Sequence, residues 1–174
     1  MFFLQMSGFP GSGKSSLAKQ ISKLTNAVIV DHDISKTALL EALDNQNLSM
    51  NVLGKTSYHI DWALIEFYLS QGNSVIFDVP CLYEKMIEIG EQLCLKYKIK
   101  YKYVECCVDN YELIQQRLLT RERKISQIES TTYEAFKHGI QQSKKSEKYE
   151  YFIVDSSEPI ETYLNKVIDY IKLK

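Results

Sequence analysis

Short runs of consecutive apolar residues alternate along this chain with longer stretches in which apolar residues recur every three or four positions. The first pattern marks buried strands, the second amphipathic helices. Residues 2–6, 27–30, 74–77, 101–108 and 151–154 read as five strands. Helices are predicted over 16–24, 34–43, 56–70, 83–97, 111–123 and 131–145, and Pro159 opens a last one. Leu17, Ile21 and Leu24 share one face of the first helix, and Trp62, Ile65 and Leu69 one face of the third. Ile160, Leu164, Val167 and Ile171 do the same near the end, and Gly72 is a stop for the third helix. Strands alternating with helices predict an α/β fold, a mostly parallel sheet covered on both faces.

The 174 residues suit one domain, since domains run to roughly 100–200 residues. No repeat, low-complexity stretch or linker interrupts them. Hydrophobic residues make up 45% and charged residues 25%, the balance of a globular chain that needs no disulfide or metal to hold its core. With 21 Lys and Arg against 22 Asp and Glu, the net charge of −1 argues against a protein that coats a polyanion. No apolar run approaches the ~20 residues of a membrane span, and the N-terminal segment is too short for a secretory signal. Cys81, Cys94, Cys106 and Cys107 form no CxxC pair. They read as reduced, mostly buried thiols of a cytoplasmic protein, a monomer or homodimer with no membrane partner.

The strongest chemical signal is Gly8-Phe9-Pro10-Gly11-Ser12-Gly13-Lys14-Ser15, followed by Ser16. It matches G-x-x-x-x-G-K-[ST] at every fixed position, with an apolar strand before it and an amphipathic helix after it. Glycines let the backbone wrap close, with N–H groups turned inward on phosphate oxygens, and the helix aims its positive end at the same anion. Lys14 puts a mobile charge on the β- and γ-phosphates, and the Ser15 hydroxyl suits Mg²⁺. ATP and Mg²⁺ are therefore the expected cofactors. Asp78 ends the third apolar run and looks like the second Mg²⁺-holding acid.

On these motifs the chain resembles the small P-loop kinases: the 5′-hydroxyl kinase domain of polynucleotide kinases, zeta toxins, chloramphenicol phosphotransferase and gluconate kinase. The resemblance implies a three-layer fold with a five-stranded parallel sheet in the order 2-3-1-4-5. It also implies a lid, short here, at about 121–131. In polynucleotide kinases and zeta toxins an Asp after the second strand precedes a basic residue three positions on; Asp33 and Lys36 fit, with Lys in place of Arg. By that carry-over Asp33 orients the acceptor hydroxyl and accepts its proton, while helix capping by Asp31 or Asp33 is the alternative use. Only three residues are Arg, namely Arg117, Arg121 and Arg123, all within seven positions. In the kinases the chain resembles, the first Arg of an R-x-x-x-R pair stacks on adenine and the second contacts phosphates, uses that need a flat, forked cation. That assigns Arg117 and Arg121.

Other features speak less. Tyr58, His59, Asp61, Trp62 and Tyr83 fall where an acceptor pocket is expected, with Trp62 read as core and Asp61 as exposed. His32, between two aspartates at a strand end, reads equally as a histidine whose protonated form a carboxylate neighbour favours and as a surface-loop residue, and His138 as exposed. Lysines 96, 98, 100 and 102 alternate with Tyr97, Tyr101 and Tyr103, which reads as a strand entry with one solvated face more readily than as a nucleic-acid stripe. The sum is an ATP-dependent phosphotransferase acting on a hydroxyl of a small molecule or nucleotide. The alternatives are a polynucleotide or RNA 5′-hydroxyl kinase, an ATPase switch, and a zeta-type toxin kinase.

Overall fold

The computed structural model describes residues 1–43 and 49–173. Five parallel strands form one sheet, β1 (Phe2–Ser7), β2 (Val28–Asp31), β3 (Val75–Asp78), β4 (Lys100–Cys107) and β5 (Phe152–Asp155). Their spatial order is β2-β3-β1-β4-β5, as the resemblance implied. Parallel neighbours need crossovers, and helices make them. α1 (Lys14–Thr25) joins β1 to β2; α2 (His32–Ala42) and α3 (Met50–Ser70) lead to β3; α4 (Glu84–Tyr97) leads to β4. α5 (Tyr111–Thr120) and α6 (Tyr133–Gln141) lie between β4 and β5, and α7 (Leu164–Lys172) follows a 3₁₀ turn at Ile160–Thr162.

All six residues of β1 are buried because both faces of this central strand are covered. Phe2, Leu4 and Met6 point to one side and pack with Leu17 and Ile21 of α1 and Val167 and Ile171 of α7. Phe3 points to the other and packs with Ile65 and Leu69 of α3 and Leu93 of α4. A third, smaller cluster lies outside both. Val108, Ile114, Leu118 and Phe136 bind α5 to α6 and carry Phe9 of the β1–α1 loop against them.

Several boundaries and exposures differ from the sequence reading. The strands β2 and β5 each extend one residue past the apolar run, to Asp31 and Asp155, while β3 ends at Asp78 as read. α3 begins at Met50, six residues early, where the Ser49 side chain accepts from Val52 N–H. The helix predicted over 111–123 stops at Thr120, and Arg121 is its extended C-cap, with φ −74 and ψ 149. The helix predicted over 131–145 is only Tyr133–Gln141, capped by Thr132. Pro159 opens the 3₁₀ turn rather than α7. Leu24 is 57% exposed and leaves the face it was assigned to. β4 has no solvated face: Tyr101 and Tyr103 are buried, and Lys102 is buried over the Tyr170 ring at 4.6 Å. The four cysteines are free thiols, three of them buried. Among the described residues no helix is long and apolar enough to cross a membrane.

Candidate active site

The loop after β1 is shaped by glycine. Gly8 has φ +131, and a Cβ there would overlap the carbonyl oxygen of Cys106 on β4. Gly13 has φ +91 and caps α1 without a side chain, so the first N–H groups of α1 remain free for an anion. Within the loop the Ser12 hydroxyl is sealed from solvent with no partner among the described residues. Lys14 is buried and folds back, its Nζ donating to the carbonyls of Gly8 at 2.8 Å and Phe9 at 3.2 Å. Burial lowers its pKa from the ordinary lysine value, and the Asp78 carboxylate opposes that shift. A loop with an orphaned hydroxyl, uncapped amides and an ammonium bonded only to carbonyls is built for a polyphosphate.

Asp78 sits 5% exposed at the end of β3, opposite Asp31 in the β2–β3 register. Burial raises its pKa above the usual carboxylate range, while the Lys14 charge and the nearby Ser15 hydroxyl pull it down. Ser15 and Asp78 are thus neighbours, a hydroxyl and a carboxylate beside the loop. Both are hard oxygen donors of the kind Mg²⁺ takes, and the remaining coordination would come from phosphates and water. Among the described residues no group of three or more His, Cys, Asp and Glu side chains is gathered to hold a metal, so the fit is to a nucleotide-borne ion and not to a protein cage.

The two aspartates after β2 divide their work. Asp31 caps α2, its Oδ1 accepting from Asp33 N–H at 2.9 Å, and its Oδ2 lies 3.5 Å from Lys124 Nζ. Asp33 is spared capping. Its Oδ2 accepts from Gln127 Nε2 at 2.6 Å and its carbonyl from Ser126 Oγ at 3.2 Å. Thr37 Oγ1 in turn donates to Ser126 Oγ at 2.9 Å. The segment between α5 and α6 therefore rests on α2, clasped over Asp33.

The arginines do not share a helix face, because α5 ends before Arg121. Arg117 bridges two loops, donating to Ser156 O at 2.8 Å and Gly11 O at 3.4 Å. Arg121 donates to Ile128 O at 2.8 Å, while its Nε is buried without a partner among the described residues. Burial lowers its pKa, and Asp33 works the other way. Arg123 is exposed and bonded to Gln127 O at 3.2 Å.

One cavity of about 1610 Å³ opens at the carboxyl ends of the strands, where ligands collect in open α/β sheets. Pro10, Gly11, Gly13, Lys14, Ser15, Ser16, Arg117 and Arg121 line it beside Asp33, Lys36, His59, Asp78 and Tyr83. Gly8 and Ser12 lie in the loop but off its wall. Two expectations fail on its far side. His32 is no surface-loop residue: it is 7% exposed, and its Nδ1 lies 2.6 Å from Asp61 Oδ2. Asp61 is not exposed at all, and its Oδ1 accepts from Ser35 Oγ. The His32 ring stacks on Tyr58, centroids 4.1 Å apart, and Tyr83 meets Tyr58 edge-on. The burial of Asp61 had a signal. The buried residues of α3 are Leu53, Ser57, Asp61, Ile65 and Leu69, each four from the last, so Asp61 falls in register with the core stripe. Gln127 and Ser126 carried none.

A family model described as an AAA domain matches residues 4–143. An inferred kinase from Chloroflexus aurantiacus superposes with a TM-score of 0.74 at 14% identity, covering 98% of this chain and 93% of its own. A gluconokinase from Sinorhizobium meliloti gives a TM-score of 0.61 at 13% identity, with 97% and 90% covered. Kti12 of Chaetomium thermophilum, in complex with ADP-AlF₃, gives 0.67 at 11% identity, with 98% and 100% covered. At these identities the likeness is one of fold, that of the P-loop kinases. No characterised protein sequence matches the chain.

Proposed function

The chain belongs to the AAA-domain family, and from that footing we propose that it is a Mg²⁺- and ATP-dependent phosphotransferase acting on a hydroxyl of a small molecule or nucleotide. One observation carries the reading. A phosphate loop and an aspartate free of helix capping, Asp33, border the same cavity, with the unpartnered Nε of Arg121 beside Asp33. A donor half and an acceptor half facing each other is the arrangement that in-line phosphoryl transfer needs, because positioning and charge neutralisation supply most of its catalysis.

In this reading the loop amides and Lys14 hold the β- and γ-phosphates, Lys14 exchanging its two carbonyl partners for phosphate oxygens. Ser15 and Asp78 would hold Mg²⁺, which would supply neutralisation of the phosphate charge. Arg121 turns its free Nε–H to the transferring group. Arg117 borders the nucleotide base with the loop at 155–159. Asp33 releases Gln127, orients the acceptor hydroxyl and accepts its proton as the oxygen attacks the γ-phosphorus and ADP leaves. Lys36, His59 and Tyr83 face the acceptor. The segment at about 121–131 acts as the lid that excludes water while this happens.

The test is ADP release from Mg²⁺-ATP across a panel of hydroxyl acceptors: nucleosides, nucleotides, sugars, antibiotics and 5′-hydroxyl oligonucleotides. Acceptor-dependent ADP release, lost in Asp33→Asn with ATP binding retained, is the expected result. Slow release of free phosphate, indifferent to every acceptor and to Asp33, would refute transfer and leave an ATPase.

A further inference from the structure

The cavity wall built from α2 and α3 narrows the class of acceptor. His32 stands at the start of α2 with its Nδ1 against Asp61, a carboxylate with no solvent exposure whose other oxygen is taken by Ser35. A carboxylate so placed accepts a hydrogen bond from Nδ1–H, which fixes the ring orientation and the tautomer that carries its lone pair on Nε2. Nε2 has no protein partner among the described residues and is not sealed from solvent, so it opens onto the cavity that His32 lines. A pure tie between α2 and α3 needs only Nδ1. The arrangement leaves a second nitrogen preset as a hydrogen-bond acceptor.

Its surroundings state what it would meet. The Tyr58 ring lies stacked on His32, and Tyr83, 58% exposed, stands edge-on to it, so the wall is flat and aromatic. Gly54, one turn before Tyr58, faces open space where a Cβ would stand, so the wall is not crowded. Lys36 and Lys55 also line the cavity, and neither pairs with a carboxylate among the described residues.

We infer that this wall is a recognition site for an anionic compound with a flat, hydrogen-donating ring, of the nucleoside monophosphate kind, and that His32 reads the ring's donor through Nε2. Asp61 is a positioning residue that acts through His32. Lys36 and Lys55 take the anion. The inference rests on the phosphotransferase reading for its place in the reaction, though its test does not require turnover.

Binding is measured by calorimetry with the AMPPNP-saturated protein, so that the phosphate loop is already filled. Trp62, the only tryptophan and part of the same wall, gives a local fluorescence signal. The probes are guanosine and uridine 5′-monophosphate, with ribose 5-phosphate as the anion that has no flat ring. Two substitutions separate recognition from folding. In His32→Asn the amide nitrogen reaches Asp61 in place of Nδ1, but nothing reaches the position of Nε2. In His32→Gln the amide reaches the position of Nε2 and the Asp61 contact is lost. Recognition by Nε2 predicts that Asn keeps the melting temperature and loses roughly five- to tenfold in affinity, the worth of about one hydrogen bond. It predicts that Gln melts lower and keeps most of the affinity. The reverse order, no effect of Asn, no binding of either monophosphate, or ribose 5-phosphate binding as well as they do would each overturn the inference. If the phosphotransferase reading alone is wrong, this order of affinities survives while the ADP assay stays silent.

Discussion

Phe136→Ala tests whether the smallest of the three cores governs the phosphate loop. Phe136 is fully buried, meets Phe9 edge-on at 5.2 Å, and packs on Tyr111 at 5.9 Å. The substitution removes on the order of 100 Å² of buried apolar surface, about 2.5 kcal/mol at 25 cal/mol per Å². A cavity on the order of 100 Å³ would add about 2.4 kcal/mol if nothing moved. The cluster is thin and Tyr111 and Ile140 are only half-buried, so partial collapse should recover part of that. The expected cost is about 3–4 kcal/mol, a fall in melting temperature of roughly 6–16 °C for a chain of this size. Phe9 loses its edge contact in the same stroke, so nucleotide affinity should fall as well. Urea and thermal denaturation give the first quantity and calorimetry with AMPPNP the second. A loss below about 1 kcal/mol would refute the packing argument. A full loss of stability with unchanged nucleotide affinity would refute the link from α6 to the loop.

Four further outcomes are expected. Arg121→Lys should lose most of the turnover with nucleotide affinity nearly kept, because Lys lacks the Nε–H that now has no partner; a near-normal rate in the ADP assay would remove Arg121 from the chemistry. Gln127→Ala should lower the acceptor KM, since the bond it makes to Asp33 no longer has to be broken, and an unchanged KM would mean that the clasp does not compete with the acceptor. Burial raises the folded pKa of Asp78 above its unfolded value, so its ionisation costs stability that is absent below pH ~3.8 and fully present above the folded pKa. Asp78→Asn should therefore melt higher than the parent at pH 7 while turnover falls by orders of magnitude, and a lower melting point would contradict the sign. Burial pushes the thiols of Cys81, Cys94 and Cys106 up to about 12, so these three should resist thiol-alkylating reagents at neutral pH until the protein unfolds, as mass spectrometry can follow.

The fold was legible because a parallel sheet covered on both faces writes its strands as uninterrupted apolar runs. The same rule explains why β2 and β5 were read one residue short. Their last residues, Asp31 and Asp155, stand at the carboxyl ends of the strands, where the apolar core stops, and a search for apolar runs stops just before them. The phosphate loop was legible because its backbone geometry restricts it to glycines at fixed spacing. The far wall was not. His32 and Asp61 lie 29 residues apart on two helices; the four-residue spacing of α3 marks Asp61 for the core, but nothing pairs it with His32 until α2 and α3 are packed together. The clasp of Gln127 on Asp33 spans 94 residues and rests on a loop with no periodicity, so only the tertiary structure reveals it. Arg121 stands out by its residue type but not by its conformation, since a helix pattern does not say which turn is its last.

Phe9 and Gly11 give the segment between α5 and α6 an unusual footing. On one side Leu118 packs beneath Gly11 while Arg117 bonds its carbonyl; on the other, Gly139 and Phe136 of α6 close on the Phe9 ring. The segment is an arch with both feet on the same short loop. A change in that loop's shape is felt at both feet together, so filling it with a nucleotide can tilt the whole span without a separate hinge. The crown stands off that loop and rests instead on α2 through Ser126 and Gln127. Residues could be added to or removed from its middle without shifting either foot, which leaves its length open to vary with the acceptor while the nucleotide end stays the same.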